Sequence, residues 1–334
     1  MRGTRFTSGE MDGHLGRIRR DHPDLYGRLD VERARSWAQD FAGLEPFEDD
    51  FGDTTSHGRG ASYLRAQAHN VRARAAGIAQ LLGYIRAGSD TSRKTVVDVL
   101  GGDGLIQRVA ALLRLADLSI LTCDVSPYMV RAAWESNYPA LLQRADFMLQ
   151  RDNSVEGVLI AYGSHHIAPH HRVQLARESY RVLRPRGVAV LHDFLVGSPM
   201  DTWFTDVVDR YSRTGHKFEH FTREEIRGCL VGAGFGRVDV IEMADPYVAT
   251  APRADQAELA LGRYLSDMYG LVEIQDAYGP HADRWVIDRA KEIFHHSRAD
   301  TAPSEFTLRH DPRRDLWTAT LPRMAVVGVA TKSA

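Results

Sequence analysis

Thr95-Val96-Val97-Asp98-Val99-Leu100-Gly101-Gly102-Asp103-Gly104 is a short β-branched run that ends in a cluster of glycines. Apolar residues at helical spacing follow over residues 105–115, so the segment reads as strand, tight loop and helix. Glycines suit such a loop because a side chain would block a ligand's approach to the backbone, while the next helix offers free N–H groups. Glycine-rich turns also follow many strands for geometric reasons alone, so the loop takes its meaning from its surroundings.

The rhythm repeats downstream. Residues 118–123 read as a second strand, with Ser126 capping a helix that opens at Pro127 and runs to Trp134. Residues 145–149 and 155–161 are predicted as the third and fourth strands. An amphipathic helix over 169–183 is stopped by Arg184-Pro185-Arg186-Gly187, and 188–191 is the fifth strand. A helix over 222–232, a sixth strand over 238–243 and a seventh over 324–330 complete the series. Such alternation predicts a doubly wound α/β domain with a mostly parallel seven-stranded sheet. Residues 1–90 are expected to form an N-terminal helical cap, with 63–85 at helical spacing and a loop over 47–60. The α/β domain would then occupy 91–334. Within it, 255–296 reads as a helical lid inserted before the last strand, followed by two short runs (306–310 and 316–321) around a turn at 312–315.

The bulk composition narrows the function. The 334 residues carry 42 basic and 44 acidic side chains, a formal net charge of -2, without the one-sided charge of a nucleic-acid or anionic-membrane binder. A small-molecule substrate is expected, with no nucleic acid and no membrane as partner. Cys123 and Cys229 lie in apolar stretches and imply neither a disulfide framework nor a cysteine-rich zinc site. The first twenty residues are polar and no eighteen-residue apolar run occurs, so a cytoplasmic location is expected. A homo-oligomer or a protein partner stays open.

Asp124 closes the second predicted strand about twenty residues beyond the glycine loop, where a carboxylate can accept both hydroxyl hydrogens of a ribose. The stretch Leu121-Thr122-Cys123-Asp124-Val125-Ser126-Pro127-Tyr128-Met129 closely resembles the corresponding segment of class I S-adenosylmethionine-dependent methyltransferases that act on small molecules. So do Asp152-Asn153-Ser154-Val155-Glu156-Gly157-Val158-Leu159, Ser164-His165-His166-Ile167, Arg181-Val182-Leu183-Arg184-Pro185-Arg186-Gly187 and Ala233-Gly234-Phe235. The resemblance covers about residues 95–243 and the last strand.

That resemblance implies S-adenosylmethionine as cofactor. It places Asp98, Gly101 and Gly102 near the cofactor's amino-acid end, Gly104 at the start of the first helix and Asp124 at the ribose. Two departures stand out. Leu100 occupies the position of the family's first glycine, and the connection after the third strand is shortened to Gln150-Arg151, leaving Asp152 or Asp146 to meet the adenine.

The family's reaction is an in-line displacement at a methyl group on a cationic sulfur, which asks the protein for alignment, exclusion of water and, where needed, a base. Tyr162, His165, His166, His192 and Asp193 follow the fourth and fifth strands and face the ligand crevice, Tyr162 on the cofactor side. His165 or His166 could act as general base, with Asp193 as a further catalytic candidate and His192 at the substrate. His165, His166, His170 and His171 form a His-His-x-x-x-His-His cluster. Adjacent histidines on a strand point to opposite faces and no nearby carboxylate completes a familiar ligand set, so no metal is expected. Tyr63, Arg65 and His69 could close over the site, Arg65 neutralising a carboxylate, sulfate or phosphate. Tyr264, Met268, Tyr269 and Trp285 recur at helical spacing, which suits core packing as well as a substrate wall. Methyl transfer to a small organic metabolite, as in specialised metabolism, is the first functional expectation. The alternatives are a repurposed enzyme catalysing an intramolecular displacement or cyclisation, and a noncatalytic partner protein.

Overall fold

The computed structural model describes residues 6–43, 49–52, 58–88, 91–297 and 303–334. Ten strands run in chain order: β1 (Lys94–Val99), β2 (Leu118–Asp124), β3 (Ala140–Leu142), β4 (Val155–Ala161), β5 (Leu183–Asp193), β6 (Arg237–Ala244), β7 (Tyr247–Ala251), β8 (Thr307–Asp311), β9 (Leu316–Leu321) and β10 (Met324–Thr331). Seven form one sheet in the order β3-β2-β1-β4-β5-β10-β6, in which β10 alone is antiparallel to its neighbours. Every residue of β1 and β4 is buried, as strands covered on both faces require, and this explains their near-continuous apolar runs. The strand order reverses between β1 and β4, which opens a crevice at their carboxyl ends.

The third strand differs from its expected place. It is Ala140–Leu142, paired with the end of β2, and residues 145–149 contribute only isolated bridges. Met148 and Leu149 are apolar and buried, but their N–H groups go to the side chains of Glu178 (2.7 Å) and Gln143 (2.8 Å), not to a neighbouring strand. The loop expected over 47–60 falls largely outside the described residues; 49–52 within it is a turn.

The helices are α1 (Ser8–Asp21), α2 (Pro23–Tyr26), α3 (Val31–Gly43), α4 (Gly60–His69), α5 (Ala75–Gly88), α6 (Leu105–Leu112), α7 (Pro127–Glu135), α8 (Pro169–Val182), α9 (Pro199–Trp203), α10 (Asp209–Tyr211), α11 (Arg223–Gly232), α12 (Ala254–Tyr269), α13 (Val272–Tyr278) and α14 (Ala282–Ile293). One face of the sheet carries α1, α2, α3, α7, α8 and α11, and the other carries α4, α5, α6, α9, α12, α13 and α14. The first ninety residues are therefore shared between both faces. Helix α5 is a full layer of the domain: Ile78, Leu81, Leu82 and Ile85 are completely buried, each contributing about 1.5–3 kcal/mol of transfer free energy. A Cβ on Gly157 of β4 would lie 2.6 Å from Ile85 Cγ2, so the strand's glycine sets how closely α5 packs.

The segment after β7 is broken into α12, α13 and α14. Strand β7 itself belongs to a small antiparallel sheet, β7-β9-β8, and the sequence pattern did not reveal it. Helix α12 ends at Gly270 in the left-handed conformation (φ 64°), which sets Met268 and Tyr269 over the crevice. No helix among the described residues is long and apolar enough to cross a membrane.

Candidate functional site

A cavity of about 510 Å³ opens beyond the carboxyl ends of β1, β2 and β4, roofed by residues that precede α4 and end α12. Its first half is acidic. Asp98 on β1 is buried, and its Oδ2 has no hydrogen-bond partner among the described residues. Burial pushes its pKa well above the carboxylate range, and the charges of Asp124 and Asp103 push the same way. At the end of β2, Asp124 Oδ2 accepts the Gly102 N–H (2.9 Å) and Oδ1 accepts the Ser126 N–H (2.9 Å). Burial outweighs these hydrogen bonds and raises Asp124 to about 6, with Asp49 adding repulsion.

Leu100 adopts φ 63°, the backbone conformation that a glycine would take without strain. The loop thus keeps its left-handed turn despite the branched residue. Leu100 lines the cavity beside Gly163, where an added Cβ would sit 3.5 Å from Leu100 Cβ, an ordinary van der Waals contact. A Cβ on Gly101 would overlap Asp98 Oδ2, so this glycine is required by the carboxylate behind it.

The second half of the cavity is built on the ends of β4 and β5. After β4 the chain forms a short 3₁₀ turn, Ser164–His166, that faces Asp193. Asp193 accepts hydrogen bonds from Ser164 Oγ, the His165 N–H (2.9 Å) and the Phe194 N–H (2.8 Å), and its Oδ1 lies 2.9 Å from His165 Nδ1. Burial alone would raise the pKa of Asp193, but His165, His220 and these hydrogen bonds hold it well below the usual carboxylate range. An ionised carboxylate only accepts, so Nδ1 carries the proton and Nε2 of His165 is left as an acceptor. Behind it, His220 packs 5.1 Å from the His165 ring and bonds Asp201 through Nδ1 (2.7 Å). Candidate ligand atoms of His165, Asp193 and His220 lie within 4.8 Å of one another, as do those of Asp201, His216 and His220, a grouping that the sequence did not suggest.

Beside this pair lies a cationic and aromatic wall. Tyr162, at φ 65°, packs at a tilt 4.3 Å from the His192 ring and donates to Asp245 Oδ1 (3.1 Å). Asp245 Oδ2 also meets His192 Nε2 (3.1 Å) and the Arg323 guanidinium, which covers the Tyr247 ring at 3.9 Å. Arg74 and Arg59 complete the wall.

Of the residues singled out from the sequence, Asp98, Gly101, Gly102, Asp124, Tyr162, His165, His166 and Tyr63 share this cavity, and so does Asp146. Asp193 supports it from behind. Gly104 (φ 83°) caps α6 without lining the cavity, and His192 lies buried beneath Tyr162. Asp152 is 69% exposed and paired with Arg181, away from the cavity. Arg65 is 53% exposed, bonds Asp267 and faces no cavity wall. Met268 and Tyr269 line the site, whereas Trp285 stacks on Tyr278 elsewhere. Sequence reading missed Arg59, Arg74, Arg323, Asp245 and His220; Arg59, Asp245 and Arg323 stand in largely apolar or glycine-rich stretches, whereas Arg74 and His220 sit among other charged or polar residues and carry no such signal.

Residues 97–191 match the family model described as a methyltransferase domain. The strand order, with its antiparallel β10 between β5 and β6, is that of the class I methyltransferase fold. Among solved structures, this domain and its additions are similar to Haemonchus contortus phosphoethanolamine N-methyltransferase 2, determined with phosphomonomethylethanolamine and S-adenosylhomocysteine. The TM-score is 0.51 at 17% identity, over 87% of this chain and 61% of that one. A SAM-dependent methyltransferase from Archaeoglobus fulgidus gives 0.44 at 14% identity, over 78% of this chain and 94% of that one. The [4+2]-cyclase SpnF gives 0.42 at 15% identity, over 76% and 82% respectively. At 17% identity the likeness to the Haemonchus contortus enzyme is one of fold. No curated protein sequence matches the chain.

Proposed function

We propose that this protein is an S-adenosylmethionine-dependent methyltransferase acting on a small organic acceptor. The observation that carries this reading is the buried Asp98 Oδ2, unpartnered among the described residues, behind a left-handed glycine loop and in the same cavity as His165. A buried carboxylate oxygen without a partner is costly, and a cationic amine brought to the cavity would relieve that cost. Asp124, already oriented by two backbone N–H groups, keeps free lone pairs for ribose hydroxyls. These residues fit the cofactor, and Asp146, held by Arg144 and His171, borders the same cavity. When bound, S-adenosylmethionine supplies an activated methyl group on a cationic sulfur.

The chain's own work is positioning and proton transfer. His165 Nε2 takes the proton of the acceptor hydroxyl or amine as that atom becomes nucleophilic, and Asp193 stabilises the resulting imidazolium. His166 borders the same space, 5.8 Å ring to ring from Phe51, with its pKa held well below the usual value by burial and by the neighbouring His165. A neutral His166 adds a polar wall without a competing charge. Residues flanking α4 and α12 close over the crevice and limit water.

Calorimetric titration with S-adenosylhomocysteine tests the reading. Binding in the micromolar range is expected, with a loss of about a hundredfold or more in Asp124→Ala. Well-folded protein that binds neither S-adenosylmethionine nor its demethylated product would overturn it and leave the repurposed-enzyme alternative.

A further inference from the structure

The three arginines on the cavity wall differ in what balances them. Arg323 is neutralised by Asp245 and capped by Tyr247. Arg74 and Arg59 have no carboxylate in ion-pair range among the described residues. Arg74, 2% exposed, donates from Nη2 to the Tyr63 hydroxyl (3.0 Å), and Arg59, 8% exposed, donates from Nη1 to the Met268 carbonyl (2.7 Å). The Nε–H of each is buried with no partner among the described residues.

Removing a guanidinium from water costs several kcal/mol even after relaxation. The aromatic faces beneath the two groups, Tyr162 at 4.6 Å from Arg74 and Phe51 at 4.4 Å from Arg59, return about 0.5–2 kcal/mol each. That is not enough. Burial pulls Arg59 below its ordinary range; the charge of Asp50, outside ion-pair range, only partly opposes this, and the charge of Arg74 adds to the pull. Two buried, partly unsatisfied guanidiniums on one cavity wall call for an anion between them.

We propose that Arg59 and Arg74 form an oxyanion cradle for the methyl acceptor, which therefore carries a carboxylate, phosphate or sulfate on an apolar body. This rests on the methyltransferase reading of the same cavity. Arg59 lies over Phe51, whose ring packs against His166 beside the proposed base His165, which puts the cradle on the side where the acceptor must react. The walls nearest the arginines are apolar or aromatic: Phe51, Phe194, Phe204, Met268 and Tyr269. They suit a hydrophobic body that ends in the anion.

The test uses the full-length protein saturated with S-adenosylhomocysteine and titrated with phenyl phosphate, phenyl sulfate and benzoate, alongside benzamide and benzyl alcohol as neutral analogues. At least one anion is expected to bind about tenfold or more tightly than the neutral compounds, and which anion wins separates phosphate or sulfate from carboxylate chemistry. Arg74→Gln and Arg59→Gln should each weaken that anion about tenfold or more, with S-adenosylhomocysteine affinity within about twofold of wild type. Arg74→Lys should recover part of the loss. Equal binding of neutral and anionic probes overturns the proposal. So does a weakening of S-adenosylhomocysteine, but not of 5′-methylthioadenosine, in the glutamine variants, since the cradle would then hold the cofactor's carboxylate. If Arg74→Gln does not fold, Arg59→Gln and the wild-type probe series decide alone. If S-adenosylhomocysteine itself fails to bind, the same titration on ligand-free protein still reads the cradle, so the two failures are distinguishable.

Discussion

Asp193 accepts three hydrogen bonds besides its contact with the His165 ring, and all of them come from buried residues. Its role is to fix which nitrogen of His165 is protonated. Asp193→Asn preserves volume but presents an amide that donates as well as accepts, so the Nδ1–H of His165 loses its obligatory acceptor. The expected result is a fall in kcat of about 10²–10⁴, with S-adenosylhomocysteine affinity nearly unchanged, measured by steady-state kinetics and calorimetry once an acceptor is in hand. An unaltered kcat would remove His165 as the base. Residues of this kind were legible in the sequence because each follows its strand directly, and the strand alternation alone places them at the crevice. Asp98, Gly101, Gly102 and Asp124 share that property. Arg59 and Arg74 do not: a buried arginine has the same letters around it as an exposed one, and only the folding of α4 and α12 over the sheet takes it from water. The same blindness favoured Arg65, which the fold leaves at the surface.

At the scale of elements, the helix-to-sheet contacts depend on small residues whose neighbours are distant in sequence. Gly77 of α5 is the sharpest case. A Cβ there would overlap Asp245 Oδ1, and Asp245 cannot swing aside because Tyr162, His192 and Arg323 all hold it. Alanine would gain about 1 kcal/mol of helix propensity, but breaking a buried charge pair costs about 3–5 kcal/mol. Gly77→Ala should therefore lower stability by about 2–4 kcal/mol in denaturant titration. Gly83, on the same helix, faces open space, so Gly83→Ala should leave stability unchanged or raise it by up to about 1 kcal/mol. If both substitutions behave alike, Asp245 is not the constraint. The helices and most strands were readable because their apolar periodicity is local. The third strand was misplaced because Met148 and Leu149 carry a strand's burial while side chains satisfy their N–H groups. Strand β7 was hidden because its partner, β9, lies some seventy residues downstream.

Across the whole molecule, the cavity joins an acidic half at β1 and β2 to a cationic half at β4, β5 and the appended helices, and the two halves respond oppositely to pH. Asp124 has a folded pKa of about 6, above the ordinary 3.8, so the stability it contributes is complete below about pH 4 and is lost as pH rises through 6. Asp193 and Asp245 are depressed, so theirs is present above about pH 4 and lost as pH falls through their folded values. The free protein is therefore penalised by an ionised Asp124 near neutrality, which is the state a ribose requires. Ligand binding reverses that penalty. At a ligand concentration a hundredfold above Kd the stabilisation is about 2.7 kcal/mol. Thermal unfolding with a fixed concentration of S-adenosylhomocysteine should show a larger rise in Tm at pH 7.5 than at pH 5, where Asp124 is mostly protonated and offers one fewer accepting oxygen. In Asp124→Ala the ligand-induced rise should be small at both pH values. A rise in wild type that is equal at the two pH values, or larger at pH 5, would mean that Asp124 does not meet the ligand as a carboxylate.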